Sequence, residues 1–347
     1  MASGRVSSAV PPYPRLGSHY FVGFYTYHHV QEAFPVRNDF RVLSLAFAIL
    51  AGCGDQPEPV PNLPALITAE RGGFIPEGVE YDAAGGRLLT GSLADGTIYE
   101  LHADGRLTAA VTDPDLTSSV GIEADAARNR LLVANSDSGV FQGGANHGKA
   151  MLGVYNLATG ERLAMVDLAA VIPNAPSDAS YFANDVAVGP DGTAYVTDTN
   201  QDVIYRVGPD YQASVFFRFE PNVEGGLGLN GIVYHPSGYL IVAGGARLYK
   251  VPVADPAATS QVALTEVVEG QDGMVWTSDG RLAIVSNSQN RVVALTSSDE
   301  WVTAQVVGVA PFAIQGTTAA VVGADIYVVH PHFADQDPPT VERITLP

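Results

Sequence analysis

A segment of about 43 residues recurs along this chain, and this repeat restricts the possible folds more than any other feature does. Each copy has a short apolar strand, a turn built from Asp, Gly, Ser or Pro, and a second strand of alternating Leu, Ile, Val and Tyr, which is the pattern of a β-hairpin. Third strands often follow the hairpin. About four strands in a unit of this length are typical of a β-propeller blade. The copies begin at Gly78, Gly121, Asp185, Gly231, Gly273 and, more weakly, Gly316.

Six copies predict an all-β fold, a six-bladed β-propeller with four-stranded blades, over residues 65–347. The copies start 43, 64, 46, 42 and 43 residues apart, so the long second step predicts an insertion of about 20 residues within about 136–181. The stretches 66–70 and 341–346 both have a strand-like pattern. We expect them to pair in one blade, because this pairing closes the ring and removes an exposed sheet edge.

Charge and composition exclude several classes of function. The chain has 347 residues, of which 37 are acidic and 18 basic, and its net charge of −19 argues against binding to nucleic acid or to anionic membrane surfaces. An apolar fraction of 46% is sufficient for a large core. Cys53 is the single cysteine, so an internal disulfide and a zinc–thiolate cluster are both excluded.

The region around Cys53 has the pattern of a secretory signal. Residues 42–51 are a run of ten apolar or small residues that follows Arg37 and Arg41. The run is too short to span a bilayer, which needs about 20 residues, but it suits the apolar part of a signal peptide. The next residues complete Leu50-Ala51-Gly52-Cys53, which resembles the lipobox of bacterial lipoproteins. The alternative is a buried strand or helix with an inert cysteine.

This resemblance implies a lipoprotein-type signal peptide at 36–53, lipidation of Cys53, and a Pro-rich tether at 54–64. The mature protein would then be extracytoplasmic, in the bacterial cell envelope, with the N-terminal lipid anchor as its contact with the membrane. Signal peptides begin close to the start of a chain, so Val36, read from a GTG codon, is a candidate for the true start. Residues 1–35 have no periodicity that predicts a fold of their own.

The residue just before each repeat start unusually often has a side chain with an oxygen atom. The innermost strands of a propeller run in the same direction around the central channel, so equivalent residues at their entrance meet in a ring. Carboxylate and amide oxygens without Cys or His suit Ca²⁺, or Mg²⁺ or Mn²⁺, better than a thiolate-seeking metal. The alternative is that Asn-Gly and Asp-Gly are turn dipeptides, which explains two members singly but does not explain a glutamate. The six residues are Glu77, Val120, Asn184, Asn230, Asp272 and Gln315.

Four of these positions carry a family resemblance over about Gly72 to Pro347. Successive parts of the chain contain Pro76-Glu77-Gly78, Phe182-Ala183-Asn184-Asp185, Leu229-Asn230-Gly231 and Asp272-Gly273-Met274. The order and type of these pairs resemble the regucalcin (senescence marker protein)/gluconolactonase/luciferin-regenerating-enzyme family of six-bladed propellers. The resemblance implies one divalent metal at the mouth of the channel, with Glu77, Asn184, Asn230 and Asp272 as its ligand set and Asp272 as the candidate general base.

By this resemblance the protein is a metal-dependent hydrolase of a lactone or related ester, with a small-molecule substrate. The implied cofactor is a divalent metal, Ca²⁺ first, with Mg²⁺, Mn²⁺ and Zn²⁺ left open, and we expect a monomer. The alternative is a non-catalytic, envelope-anchored propeller that binds a ligand or partner and keeps a structural metal. Val120 interrupts the ring of oxygens and would leave coordination positions for water or a substrate carbonyl.

Further positions are candidates for substrate contacts. Sugar-lactonase members of the family commonly have an arginine where this chain has Phe182. The positively charged side chain that would bind a sugar acid is therefore absent at this position. His147, in a Gly-rich loop of the insertion, is a candidate lid residue, and a solvated surface loop is the alternative. Gln315, at the last repeat, is a further substrate or lid candidate. The pair His330 and His332 has the spacing of metal ligands but lies in a Pro-containing loop with no third ligand in view. No Gly-x-Ser-x-Gly motif supports a serine nucleophile.

Overall fold

The computed structural model describes residues 62–143, 145–219, 228–333 and 337–347. These residues form an all-β fold with five helices, each a short 3-10 turn. None of the helices in this part of the chain has the length and hydropathy that crossing a bilayer requires. The 3-10 helices are Ala126–Arg128, Ser138–Gln142, Ala169–Val171, Pro256–Ala258 and Asn287–Gln289.

Twenty-five strands carry the repeat pattern of the sequence. The first thirteen are β1 (Leu66–Thr68), β2 (Val79–Asp82), β3 (Arg87–Thr90), β4 (Ile98–Leu101), β5 (Leu107–Val111), β6 (Ser118–Asp125), β7 (Arg130–Ser136), β8 (Gly148–Lys149), β9 (Met151–Asn156), β10 (Arg162–Asp167), β11 (Tyr181–Val188), β12 (Ala194–Asp198) and β13 (Val203–Val207). The others are β14 (Ala213–Arg218), β15 (Leu229–His235), β16 (Tyr239–Gly244), β17 (Arg247–Pro252), β18 (Ser260–Leu264), β19 (Gln271–Trp276), β20 (Leu282–Ser286), β21 (Arg291–Thr296), β22 (Thr303–Pro311), β23 (Ala319–Val322), β24 (Asp325–His330) and β25 (Thr340–Ile344).

The strands pair into antiparallel meanders of four, and each meander begins with an inner strand that opens one copy of the repeat. Neighbouring inner strands contact each other, and the last contacts the first, so the meanders surround a central channel in a propeller-like arrangement. In chain order, the meanders are β2–β5; β6, β7, β9 and β10; β11–β14; β15–β18; β19–β22; and β23–β25 with β1. They are called the first to the sixth meander below.

The prediction of six separate four-stranded blades is wrong in one respect, because the described strands form five sheets. The fourth and fifth meanders share a single eight-stranded sheet, in which Ala263 and Leu264 pair in parallel with Thr303 and Ala304. The outer strand β22 is nine residues long, and its pairing with β21 begins only at Gln305. Its first residues are therefore free to hydrogen-bond with the neighbouring outer strand β18.

The two ends of the described chain meet in the sixth meander. Strand β1 pairs antiparallel with β25, with Ile67 opposite Val341. Both side chains are buried in one apolar cluster, where Leu63 also packs. This pairing covers the edge of β25, as the sequence led us to expect. Six such apolar clusters fill the spaces between consecutive meanders, so the core is a ring of wedges around the channel.

The extra residues of the second repeat lie in two separate places. One part, between β7 and β9, holds the 3-10 helix Ser138–Gln142 and the short strand β8. Strand β8 pairs in parallel with the start of β11, which gives the third meander a fifth strand. The other part holds the 3-10 helix Ala169–Val171 between β10 and β11. The predicted signal peptide, the lipidated Cys53 and residues 1–35 lie outside the described residues, as does most of the predicted tether.

Candidate functional site

The structure brings the oxygen-bearing side chains of the predicted ring to one end of the channel. Glu77, Asn184 and Asn230 line a narrow cavity of about 10 Å³, which is also lined by the glycine next to Asp272. The side chains of Asn230 and Asp272 are close enough to affect each other, and so are the charges of Asp272 and Glu77. These contacts arise because inner strands of successive meanders run side by side in the same direction. The site defined by Glu77, Asn184, Asn230 and Asp272 is called the channel-mouth site below.

Val120 and Gln315 occupy different surroundings. Val120 is buried in the apolar cluster between the second and third meanders. Gln315 donates a hydrogen bond from its amide to Oδ1 of Asn287, and Nδ2 of Asn287 donates to Oδ2 of Asp272 over 2.9 Å. Gln315 is thus connected to the channel-mouth site through Asn287.

The glycines that follow the predicted ligands have a packing role of their own. A Cβ atom on Gly78 would lie 2.3 Å from the carbonyl oxygen of Val120, and one on Gly231 would lie 2.3 Å from that of Asp272. On Gly273 it would lie 1.9 Å from Oγ1 of Thr318. Inner strands therefore approach each other too closely for a side chain at these positions. The Glu-Gly, Asn-Gly and Asp-Gly pairs combine a channel residue with a required close contact.

Gly273→Ala should consequently disturb both packing and the site. The added methyl group would overlap Thr318 and push β19 away from β23, and overpacking of this kind costs about 1–3 kcal/mol of unfolding free energy or more. We expect a lower melting temperature and weaker metal binding through the displaced Asp272. Gly308→Ala is the matched control, since its new Cβ atom would have no neighbour closer than 3.4 Å. Equal melting temperatures for the two variants would contradict the packing role.

Burial gives the two carboxylates of the site unusual proton affinities. Burial raises the pKa of Glu77 well above its ordinary value, and the charges of Asp272 and Asp185 add to the rise. Burial also raises the pKa of Asp272 to about 7, although the hydrogen bond from Asn287 and the nearby side chain of Asn230 oppose the effect. Two negative charges held this closely destabilise the ionised, metal-free site.

The donor set fits a hard divalent cation. Oδ1 of Asp272 is buried and has no hydrogen-bond partner, whereas Oδ2 is held by Asn287. An unpartnered buried carboxylate oxygen beside a second carboxylate and two amide oxygens is suited to Ca²⁺. Within the described ranges, no three His, Cys, Asp or Glu side chains are grouped to hold a metal. A cation at the channel mouth would therefore depend on the amide oxygens of Asn184 and Asn230 as well as on the carboxylates.

Three further residues of the site were not singled out from the sequence. Asp185 takes the place of the glycine in the third repeat, and its two oxygens accept hydrogen bonds from the backbone N–H groups of Val186 (2.9 Å) and Ile232 (3.0 Å). Burial raises its pKa to about 6, although these two bonds oppose the rise. Its carboxylate lies beside both the channel-mouth site and a second cavity further along the channel.

The other two residues hold side chains of the channel-mouth site. Thr199 accepts a hydrogen bond from Nδ2 of Asn184 over 2.9 Å and donates to the carbonyl of Leu229 over 2.7 Å. Asn287 donates a hydrogen bond from Nδ2 to Oδ2 of Asp272 over 2.9 Å. Thr199 and Asn287 each come directly after the second strand of their meander. A comparison of that position across the repeats is the signal that could have found them.

The predicted substrate residues Phe182, His147 and Gln315 do not line the channel-mouth cavity. Phe182 is 5% exposed and belongs to the cluster between the second and third meanders. Its ring contacts Phe141 edge-on, with 4.8 Å between centroids, and Phe141 is 61% exposed on the insertion. His147 is exposed, and its backbone carbonyl accepts a hydrogen bond from Tyr181. The insertion thus places an exposed aromatic ring, that of Phe141, against Phe182 at the start of β11.

The remaining candidates of the sequence have structural contacts. His330 is buried, and its Nδ1 lies 2.8 Å from the carbonyl oxygen of Ile314. Three serines at or shortly after the second strands, which are the positions a serine nucleophile could have taken, donate hydrogen bonds to backbone carbonyls: Ser92 to Phe74, Ser136 to Ala183 and Ser286 to Glu269. These serine hydroxyls therefore connect neighbouring segments.

The fold and the site together define this protein as a β-propeller-like protein with oxygen-bearing side chains at one end of its channel. The sequence model of the SMP-30/gluconolactonase/LRE-like family matches residues 75–318, and the chain belongs to this family. The match covers all four residues of the channel-mouth site. None of the curated proteins compared with the chain matches it.

Solved structures with a similar fold share little sequence with this chain. The Malassezia sympodialis allergen Mala s 1 superposes with a TM-score of 0.66 at 19% identity, over 82% of this chain and 96% of its own. A gluconolactonase from Xanthomonas campestris gives 0.56 at 16% identity, over 81% and 89%. A luciferin-regenerating enzyme gives 0.57 at 13% identity, over 81% and 95%. At these identities the likeness shows a common fold.

Proposed function

We propose that this protein is a metal-dependent hydrolase that opens a lactone or cleaves a related ester at the channel mouth. The observation that carries the proposal is the convergence of Glu77, Asn184, Asn230 and Asp272 around an unpartnered oxygen of Asp272. Family membership supports the reaction class, and a gluconolactonase shares the fold. Ca²⁺ is the proposed metal, because every donor in the set is a hard oxygen.

The residues of the site divide the proposed chemistry among them. Glu77, Asn184, Asn230 and Asp272 would hold the cation, which supplies Lewis-acid polarisation of an ester carbonyl when bound. Asp272 would accept a proton from the attacking water. Asn287 keeps one oxygen of Asp272 fixed and Thr199 orients Asn184. Proton transfer is therefore assigned to Asp272, and orientation of the ligand side chains to Asn287 and Thr199.

The surroundings of the mouth favour an apolar substrate over a sugar acid. Phe182 stands where sugar lactonases commonly have arginine, and the exposed Phe141 packs on it. The described linings of the two channel cavities contain carboxylates and no Lys or Arg side chain, so an anionic substrate would be repelled there. We therefore propose an uncharged lactone with an apolar substituent as the substrate.

A panel of lactones measured with and without a chelator tests this function. We expect hydrolysis of at least one apolar lactone, loss of that activity with chelator, and recovery when Ca²⁺ is added in excess. Circular dichroism of the chelated protein is the control, because it separates loss of the metal from loss of the fold. Metal binding without turnover of any lactone would instead favour the non-catalytic, ligand-binding propeller.

We also propose that the protein is extracytoplasmic and attached to the bacterial cell envelope through lipid on Cys53. This proposal is supported by the lipobox-like Leu50-Ala51-Gly52-Cys53 and by the Pro-rich stretch that follows it. Cys53→Ser should move the protein from the membrane fraction to the soluble fraction. A wild-type protein found in the cytosol with an intact N-terminus would contradict the assignment.

A further inference from the structure

A separate cavity of about 280 Å³ lies along the channel beyond the channel-mouth site. Its wall includes six residues, each three positions after one residue of the predicted ring. In chain order they are Glu80, Glu123, Ala187, Val233, Val275 and Thr318. This space is called the lower cavity below.

The lower cavity has two chemically different sides. Glu80 and Glu123 come from the first and second meanders, whose inner strands are in contact. In the ring of six inner strands, Val233 lies across from Glu80, and Val275 lies across from Glu123. Two adjacent carboxylates therefore face an apolar wall.

These carboxylates have no cation to balance them in the described part of the chain. The carboxylate of Glu123 has neither an ion pair nor a hydrogen bond there, and Glu80 has no ion pair. Burial raises the pKa of Glu123 to about 8, and the charges of Asp185 and Asp125 add to the rise. Burial and the charge of Glu123 likewise raise the pKa of Glu80. A positive charge placed between them would relieve this repulsion.

The remaining wall favours an organic cation over a metal ion. Ca²⁺ takes about six to eight oxygen ligands. The side of the cavity that faces the glutamates includes Val233 and Val275, whose side chains supply no oxygen. Asp185, which also lines the cavity, already accepts two backbone hydrogen bonds. Tyr234 and Trp276 are half-buried in the wall, and Nε1 of Trp276 donates to the carbonyl of Tyr234 over 2.9 Å. Aromatic rings attract ammonium groups and pack against apolar ones.

We propose that the lower cavity binds a small organic ammonium ion, with the charged group between Glu80 and Glu123 and the apolar part against Val233 and Val275. The volume of about 280 Å³ has room for on the order of ten non-hydrogen atoms, since a water molecule takes about 30 Å³. Benzylamine, a primary amine of about this size, is therefore a suitable probe. The site is independent of the proposed lactonase reaction.

Isothermal titration calorimetry of benzylamine into the full chain, with Ca²⁺ in excess, tests the proposal. We expect saturable binding to the wild type and none of benzyl alcohol, which has a similar shape without the charge. Glu80→Gln and Glu123→Gln should each weaken binding, and together they should weaken it at least about tenfold. Glu161→Gln, which changes an exposed carboxylate on the outer surface, should bind as the wild type does.

Three results would overturn the proposal. The first is the absence of saturable benzylamine binding to the wild type, and the second is unchanged affinity in the double variant. The third is a second Ca²⁺ bound by the wild type and lost in the double variant, which would make the lower cavity a metal site. Should the double variant fail to fold, the single Glu123→Gln variant decides the question. Lactone hydrolysis does not enter any of these measurements, so the two proposals can fail separately.

Discussion

Replacing Asp272 by alanine is expected to lower kcat/KM for the best lactone substrate by at least about 10³-fold, because one side chain would supply both a metal ligand and the general base. The same change removes one of two mutually repelling buried carboxylates, so the metal-free variant should be no less stable than the wild type. Loss of activity with an unchanged or higher melting temperature would identify a chemical role. Steady-state kinetics and thermal melts of the same preparations give both values.

Two further variants sharpen this test. Asp279→Ala removes an exposed carboxylate that pairs with Arg281, and it should leave turnover unchanged. Asn287→Ala removes the hydrogen bond that holds Oδ2 of Asp272, so we expect a smaller loss in kcat with little change in the fold. If Asp272→Ala hydrolyses lactone as the wild type does, the assignment of this residue is wrong.

The metal-free protein is expected to lose stability as the pH rises from about 4 to about 8. Burial raises the pKa of Asp185 to about 6 and that of Asp272 to about 7. A carboxyl group with a raised pKa binds its proton more tightly in the folded state than in the unfolded state. Its folded form is therefore favoured at low pH, and this advantage is lost as the pH passes through the folded-state pKa.

Ca²⁺ bound at the channel mouth should offset this loss of stability at high pH. At a concentration 100 times its Kd, a ligand that binds only the folded state adds about 2.7 kcal/mol of stability, which corresponds to a rise in melting temperature of roughly 5 °C or more. We expect a large rise with Ca²⁺ at pH 8 and a small one at pH 5, where protons compete for the same oxygens. Thermal melts in chelator and in Ca²⁺ at the two pH values provide the comparison.

Glu77→Gln and Asp272→Asn are the informative variants for this effect. Each keeps the side-chain shape and removes one of the two charges. In chelator, the melting temperature of each variant should depend less on pH than that of the wild type. The rise in melting temperature on adding Ca²⁺ should also be smaller. A melting temperature in chelator that increases steadily with pH would contradict the proposal that two repelling carboxylates destabilise the metal-free site. Glu161→Gln again serves as the surface control.

Local patterning was sufficient to predict the hairpin strands of the repeats and to align the residues of the channel mouth. A hairpin is specified by neighbouring residues, so the second and third strands after Gly78, Gly231 and Gly273 could be predicted from alternation and turn residues alone. The repeat period then aligned Glu77, Asn184, Asn230 and Asp272, because equivalent positions in a cyclic fold occupy equivalent places. The pairing of chain ends through Ile67 and Val341 followed from the need to cover a strand edge.

Contacts between segments far apart in sequence were decided only by the tertiary structure. The parallel pairing of Ala263 with Thr303 depends on how closely the outer strands β18 and β22 approach each other. The distance between these two strands cannot be predicted from a local sequence pattern. Likewise, Asp185 and Asn287 gain their roles from partners on neighbouring strands, Ile232 and Asp272. A sequence states which side chains recur at a given position in each repeat. The packing of the ring decides which of them become buried, which remain without a partner, and which face a cavity.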